Sequence, residues 1–205
     1  MNARDIYNKF KQEGLIRDTE LFHDSETYLD LLFSSPLNFD ESAFENKINV
    51  FCPYFLEYTS LMKNPSVAEW LSGIGTFLKI FKKINQTSKL FYVNDQVNSL
   101  MLAKEIMSEY ECVFTKTNTE DKFDIVFSDG VLNLFDDETI KNLTIEIINS
   151  LNVNGVLMLL LNLDPNNLRK DFNLIWIHNL IQESNMMCVW GKYTFSSMWI
   201  KKQNN

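Results

Sequence analysis

From Pro65 to the C-terminus, short apolar runs alternate with amphipathic stretches, and this alternation limits the folds open to the chain more than any other feature. Residues 67–71 form an apolar run that ends in the turn Ser72-Gly73-Ile74-Gly75. Over 76–84 the period changes to that of a helix. Phe77, Leu78, Phe81 and Ile84 share one face, and Lys79, Lys82 and Lys83 the other. The pattern then predicts a strand at 90–93, a helix at 96–107, a weak strand at 112–115 and a strong one at 123–127. A helix at 137–151 leads through the turn Asn152-Val153-Asn154-Gly155 to 156–161, whose unbroken apolar character marks a buried central strand. A last helix at 168–182 precedes two strands, 186–195 and 198–202, joined by a hairpin turn at Ser196-Ser197. Such alternation predicts an α/β architecture, a mostly parallel seven-stranded sheet with helices on both faces. The closing hairpin adds a C-terminal antiparallel strand.

The first 64 residues break this rhythm. They predict short helices at 6–12, 26–33 and 41–61, interrupted by Pro36 and Pro53 because proline cannot continue a helix interior. Asn64-Pro65 is a turn signal and the boundary between a helical N-terminal segment, 1–64, and the α/β domain, 65–205. Charge and cysteine usage narrow the function classes. Nineteen basic against 27 acidic residues give a net charge of −8, the wrong balance for a protein held to duplex DNA by phosphate contacts. The longest apolar stretch, 156–161, falls far short of the roughly 20 residues that a membrane helix needs. The polar start Met1-Asn2-Ala3-Arg4-Asp5 lacks signal-peptide character. Cys52, Cys112 and Cys188 are too scattered for a disulfide framework or a zinc motif. The expectation is a cytoplasmic protein with no metal, membrane or nucleic-acid partner, working as a monomer, as a homodimer or with a partner subunit.

In a doubly wound sheet the ligand lies beyond the carboxyl ends of the strands, so the strand-to-helix turns are the places to search. Gly73 and Gly75 occupy the first of these turns, where glycine lets the backbone approach a ligand and the next helix present its amides. Asp95 ends the second strand 20 residues after Gly75, the position of an acid that takes the two hydroxyls of a ribose. The dinucleotide fingerprint G-x-G-x-x-G fails because Leu78 stands at its third glycine, so NAD is disfavoured.

Four segments, taken in order, carry more than any one of them alone. They are Glu69-Trp70-Leu71-Ser72-Gly73-Ile74-Gly75-Thr76, then Val93-Asn94-Asp95 with Leu100-Met101-Leu102-Ala103-Lys104. Next comes Asp121-Lys122-Phe123-Asp124-Ile125-Val126-Phe127-Ser128-Asp129-Gly130-Val131-Leu132. The last is Asp136-Asp137-Glu138, a helix to Leu151, and Asn154-Gly155 before Val156-Leu157-Met158-Leu159. Together they resemble class I, Rossmann-like, S-adenosylmethionine-dependent methyltransferases. The first is similar to that family's motif of an acid followed by G-x-G-x-G, and the second to its second strand and following helix. The third is similar to its fourth strand, F-D-x-V, entering the active-site loop, and the last to its helix, turn and fifth strand. The resemblance spans about 65–163.

The resemblance implies a Rossmann-like methyltransferase fold with a helical N-terminal lid, and S-adenosylmethionine as donor with S-adenosylhomocysteine as product. It implies methyl transfer to the oxygen or nitrogen of a small metabolite, with a sugar or natural-product intermediate as a suitable acceptor. Gly73 and Gly75 would line the methionine and ribose portions of the cofactor, while Glu69 would steady that loop and face the cofactor's amino group. Asp95 would bind the ribose hydroxyls, with Asn94 as a one-residue alternative. Thr117 and Asn118 stand where the family places an acid and a small residue beside the adenine. Asp129 and Gly130 would sit at the mouth of the fourth strand, facing the methyl donor. His23 and Tyr28, in the lid cluster His23-Asp24-Ser25-Glu26-Thr27-Tyr28, join Asp129 as candidate catalytic groups.

The chain also departs from the family. Leu71 replaces the first glycine, and the third-strand region lacks the expected acid. No Asn/Asp-Pro-Pro-Tyr/Phe follows the fourth strand, which argues against methylation of amide or adenine nitrogens. Asn133 and Leu134 stand where many small-molecule members carry Glu-His. A methyltransferase-like domain that has lost catalysis and serves as a binding or scaffold partner is therefore the competing reading. Plainer roles compete at single positions: a tight turn for the glycine pair, a helix N-cap for Asp95 and a local cap for Asp129. His23 also reads as a surface histidine beside acids, and the three lysines as a solvated face. His178, Trp176, Trp190 and Trp199 read as packed core or sheet-face residues.

Overall fold

The central strands are apolar and buried on both faces, so helices must cover them above and below. The computed structural model describes residues 3–14, 45–46, 48, 55–71, 73–129, 136–160, 174–192 and 196–202. Its elements begin with α1 (Ala3–Gln12), α2 (Phe55–Ser60), β1 (Ser66–Trp70), α3 (Thr76–Ile84), β2 (Lys89–Val93) and α4 (Val97–Ile106). They continue with β3 (Cys112–Thr115), β4 (Phe123–Asp129), α5 (Asp137–Ser150), β5 (Leu151–Leu160), α6 (Leu174–Glu183), β6 (Met186–Lys192) and β7 (Ser196–Lys201). The seven strands form one sheet in the order β3-β2-β1-β4-β5-β7-β6. β1 to β5 are parallel, and β7 lies antiparallel between β5 and β6. This is the mostly parallel seven-stranded sheet that the strand–helix pattern predicts, and the Rossmann-like methyltransferase architecture that the resemblance implies. The chain steps outward from β1 to β3 and returns to β4 on the other side of β1, which places the topological switch point between β1 and β4.

Alternation along the strands divides the interior into two cores. Ala68 and Trp70 of β1, Phe123 and Val126 of β4 and Leu157 of β5 meet Ile140 and Ile147 of α5 and Ile177 and Ile181 of α6. On the opposite face Val67, Tyr92, Ile125, Phe127 and Met158 meet Phe77 and Phe81 of α3 and Ala103 and Met107 at the end of α4. Phe77 stacks on Phe127 with ring centroids 4.1 Å apart, and Trp70 meets Phe123 edge-on at 6.0 Å. Burying one such ring stabilises the fold by about 2 kcal/mol. α5 opens on Asp136, whose carboxylate accepts the Thr139 N–H at 2.9 Å.

Three local expectations are corrected. Ile80 replaces Ile84 on the buried face of α3, because Ile84, the helix's last residue, is 37 % exposed. Asn152–Gly155 is no separating turn: β5 starts at Leu151, directly after α5, and absorbs these residues in a bulge between the pairs Phe123↔Leu151 and Ile125↔Val156. Asn154 takes the left-handed backbone there, with φ +64°. Ser196 and Ser197 are not a hairpin turn either. They pair with Leu160 and Leu159 inside β7, where sheet pairing overrides serine's preference for turns.

In the N-terminal segment, α1 packs on α4, with Phe10 against the first core. Of the helix expected at 41–61, residues 45, 46 and 48 are helical, and α2 follows beyond Pro53. Ile48, Phe55 and Leu56 enter the second core. The helix expected at 26–33 lies outside the described residues. Among the described residues no helix is long and apolar enough to cross a membrane.

Candidate functional site

The parallel register of β1 and β2 sets Glu69 directly beside Tyr92, on the face that carries α3. Glu69 is only 2 % exposed, yet its carboxyl is not wasted. Oε1 accepts the Gly75 N–H at 3.0 Å, and Oε2 accepts the Leu78 N–H at 3.3 Å. Gly75 stands at the N-cap of α3 and has no side chain to cap it, so Glu69 serves the helix's first amides from the neighbouring strand. Both glycines of the turn are left-handed, Gly73 at φ +50° and Gly75 at φ +90°. A Cβ on Gly73 would lie 2.9 Å from Glu69 Oε1, so the turn closes directly over the acid. Burial pushes the Glu69 carboxyl up to about 8; the amides of Gly75 and Leu78 oppose that rise, and the charge of Asp129 adds to it.

Leu71 also has a left-handed backbone, φ +48°, with its N–H donated to the Val93 carbonyl at 2.8 Å. Strand alternation would send it after Val67 and Glu69 toward α3. The left-handed residue instead turns its side chain into the first core, where it is buried. The residue that replaces the family's first glycine thus anchors the turn from the opposite face of the sheet, at a backbone cost of about 1 kcal/mol.

At the end of β2 the two neighbouring candidates part ways. Asn94, 2 % exposed, points inward. Its Nδ2 donates to the Tyr92 hydroxyl at 3.1 Å and its Oδ1 accepts the Gln96 N–H at 2.8 Å. The Tyr92 hydroxyl donates in turn to the Gly73 carbonyl at 2.9 Å. Asp95 is half-buried and faces the turn after β3, where it accepts from the Thr117 hydroxyl and, at 3.4 Å, from the Thr117 N–H. Asn118 is exposed on the same turn. Asp129, half-buried, closes β4 opposite Leu160.

The carboxyl ends of β1, β2, β3 and β4 therefore carry Glu69, Gly73, Gly75, Asn94, Asp95, Thr117 and Asn118 on one side of the switch point and Asp129 on the other. His23, Tyr28, Gly130 and the loop 131–135 lie outside the described residues. Sequence reasoning missed Tyr92, hidden in an apolar strand. The available signal was parity, since Tyr92 and Asn94 are two apart and share a strand face. His178 packs edge-on against Trp199 at 5.6 Å, and burial lowers its pKa, as its core reading expects. Trp199 is buried and Trp176 partly so against the first core, while the side chain of Trp190 lies outside the described ones. Among the described residues no cluster of His, Cys, Asp and Glu could hold a metal ion.

No protein-family model and no curated protein matches this sequence. Solved structures match the fold. The PH0226 protein of Pyrococcus horikoshii OT3 superposes with a TM-score of 0.64 at 14 % identity, over 84 % of this chain and 99 % of that one. An O-methyltransferase family protein from Burkholderia thailandensis gives 0.55 at 12 % identity, over 80 % of this chain and 60 % of that one. The N-methyltransferase NodS from Bradyrhizobium japonicum WM9, in complex with S-adenosyl-L-homocysteine, gives 0.55 at 14 % identity, over 72 % of this chain and 84 % of that one. At these identities the likeness is one of fold, that of the S-adenosylmethionine-dependent methyltransferases.

Proposed function

We propose that the chain binds S-adenosylmethionine and transfers its methyl group to an oxygen or nitrogen of a small metabolite. The observation that carries this reading is the turn after β1, two left-handed glycines closed over a buried acid at the switch point of the sheet. Its shape brings bare backbone to the surface where a ligand lies in such sheets. The residues fit the donor. Asp95 offers carboxylate oxygens suited to a ribose diol and is oriented by Thr117, while Asn94 is committed inward, so Asp95 is preferred for that role. Gly73, Gly75 and the start of α3 would receive the methionine portion, with Glu69 steadying them from below. Asp129 would place a negative charge on the side of the positively charged donor, and Gly130 would follow it at the mouth of β4. Thr117 and Asn118 would flank the adenine.

The bound donor supplies an electrophilic methyl group on a cationic sulfur. The chain's own tasks are to align an acceptor in line with it, to exclude water and, where the acceptor must lose a proton, to hold a base. His23 and Tyr28 of the proposed lid, residues 1–64, are assigned to the acceptor side. The fold relatives include an O-methyltransferase family protein and an N-methyltransferase, which supports the donor and leaves both acceptor atoms open. A non-catalytic binding or scaffold domain is the second reading, favoured by Asn133 and Leu134 in place of Glu-His.

Calorimetric titration with S-adenosylmethionine and S-adenosylhomocysteine tests the proposal. Micromolar binding is expected, weakened about tenfold or more by Asp95→Ala, the loss of a charged hydrogen-bonding group. Binding of neither ligand by the folded wild-type protein would refute the enzyme reading and favour the scaffold.

A further inference from the structure

We infer that Tyr92 is a positioning residue that, together with Glu69, clamps the glycine turn in the shape that receives the donor; the identity of that ligand rests on the methyltransferase reading. The clamp follows from register. Glu69 and Tyr92 are partners on adjacent parallel strands and lie side by side beneath the turn. Glu69 takes the N–H of Gly75, and Tyr92 gives its hydroxyl proton to the carbonyl of Gly73 at 2.9 Å. The turn is thus held by an amide at one end and a carbonyl at the other.

Three features fix the hydroxyl rather than merely accommodate it. The ring is fully buried, and Phe114, its partner on β3, lies 6.0 Å away on the far side. Asn94 Nδ2 donates into the hydroxyl oxygen at 3.1 Å, which commits the phenolic proton to Gly73. Asn94 is itself pinned, its Oδ1 by the Gln96 N–H and its own N–H by the Thr115 carbonyl at 3.0 Å. A continuous chain of hydrogen bonds therefore runs from the N-cap of α4, through the end of β2, to the turn after β1. Packing alone would be served by phenylalanine, which this chain uses at 16 positions. The buried hydroxyl joins the Asn94 amide to the Gly73 carbonyl, a link that phenylalanine could not make.

Tyr92→Phe keeps the ring and removes the clamp. Wild-type and variant proteins are titrated with S-adenosylhomocysteine by calorimetry, and amide hydrogen exchange at Gly75 is followed in both without ligand. The expected result is an affinity loss of about tenfold, the scale of one buried hydrogen bond, together with faster exchange at Gly75. A lower urea midpoint with unchanged affinity of the folded protein and unchanged protection of Gly75 would mean that the hydroxyl serves stability alone, and would overturn the inference. Should the wild-type protein bind neither sulfonium donor nor thioether product, the methyltransferase reading fails by that result. The exchange arm then judges the clamp separately: unchanged protection at Gly75 overturns it, and faster exchange upholds it.

Discussion

Replacing Glu69 by glutamine should abolish a pH dependence of stability that the native site builds in. Glu69 is buried beneath the glycine turn, and its carboxyl is pushed up to about 8 from an ordinary 4.5, mainly by desolvation. Between those values the unfolded chain carries this carboxylate ionised while the folded chain keeps its proton, so unfolding releases a proton. Stability must therefore fall as pH rises through the window and level off above about 8. At 1.36 kcal/mol per pKa unit, the loss is about 3 kcal/mol by pH 7 and roughly 5 kcal/mol in full, a large share of an ordinary domain's stability. Glu69→Gln removes the titration. The amide keeps one acceptor for the Gly75 N–H but turns a donor toward the Leu78 N–H, costing about 1 kcal/mol at every pH. The variant should be slightly less stable than wild type at pH 5 and more stable by about 3 kcal/mol at pH 8. Urea unfolding of both proteins from pH 5 to 9 measures the difference. The difference matters more than either curve, because His178, whose pKa burial lowers, loses stability in the opposite direction as pH falls and cancels between the two. Parallel curves, with a gap that does not change across the window, would refute the reasoning.

Two further substitutions probe the surroundings of the turn. Leu71→Gly relieves a left-handed backbone worth about 1 kcal/mol but removes a buried side chain worth about 3–4 kcal/mol, so a net loss of about 2–3 kcal/mol is expected in urea unfolding. A variant as stable as wild type would show that Leu71 does not anchor the turn in the core. Ser128, in β4 just before Asp129, buries a hydroxyl that has no hydrogen-bond partner among the described residues. Ser128→Ala should therefore be neutral or stabilising by up to about 1 kcal/mol, and a clear loss in thermal unfolding would show that the hydroxyl is bonded in solution.

The parts of this fold that were legible in the sequence are those set by local periodicity. Residues 76–84 read as a helix because apolar and basic residues separate at helical spacing, and α3 spans those residues. Gly73 and Gly75 could be singled out because both take a left-handed backbone in a tight place, where a Cβ would crowd the Glu69 carboxylate at Gly73 and the Met107 side chain at Gly75. Where pairing between distant strands decides, local signals mislead. Ser196-Ser197 and Asn152–Gly155 carry turn chemistry, yet Ser196 and Ser197 pair with β5, and 152–155 are carried in a bulge between residues that pair with β4. Leu71 shows the same limit at the site. Its departure from glycine is visible in the sequence, but alternation points its side chain to the wrong face until the backbone conformation is known. Tyr92 is the sharpest case. In sequence it is one apolar residue among Leu90, Phe91 and Val93, and nothing local ties it to Glu69. Only the parallel register makes the two neighbours, and only then does a polar atom in a buried strand acquire a partner and a function. A buried hydroxyl in a strand beside a motif acid is thus a feature to seek by strand parity, two residues before a polar residue that ends the strand.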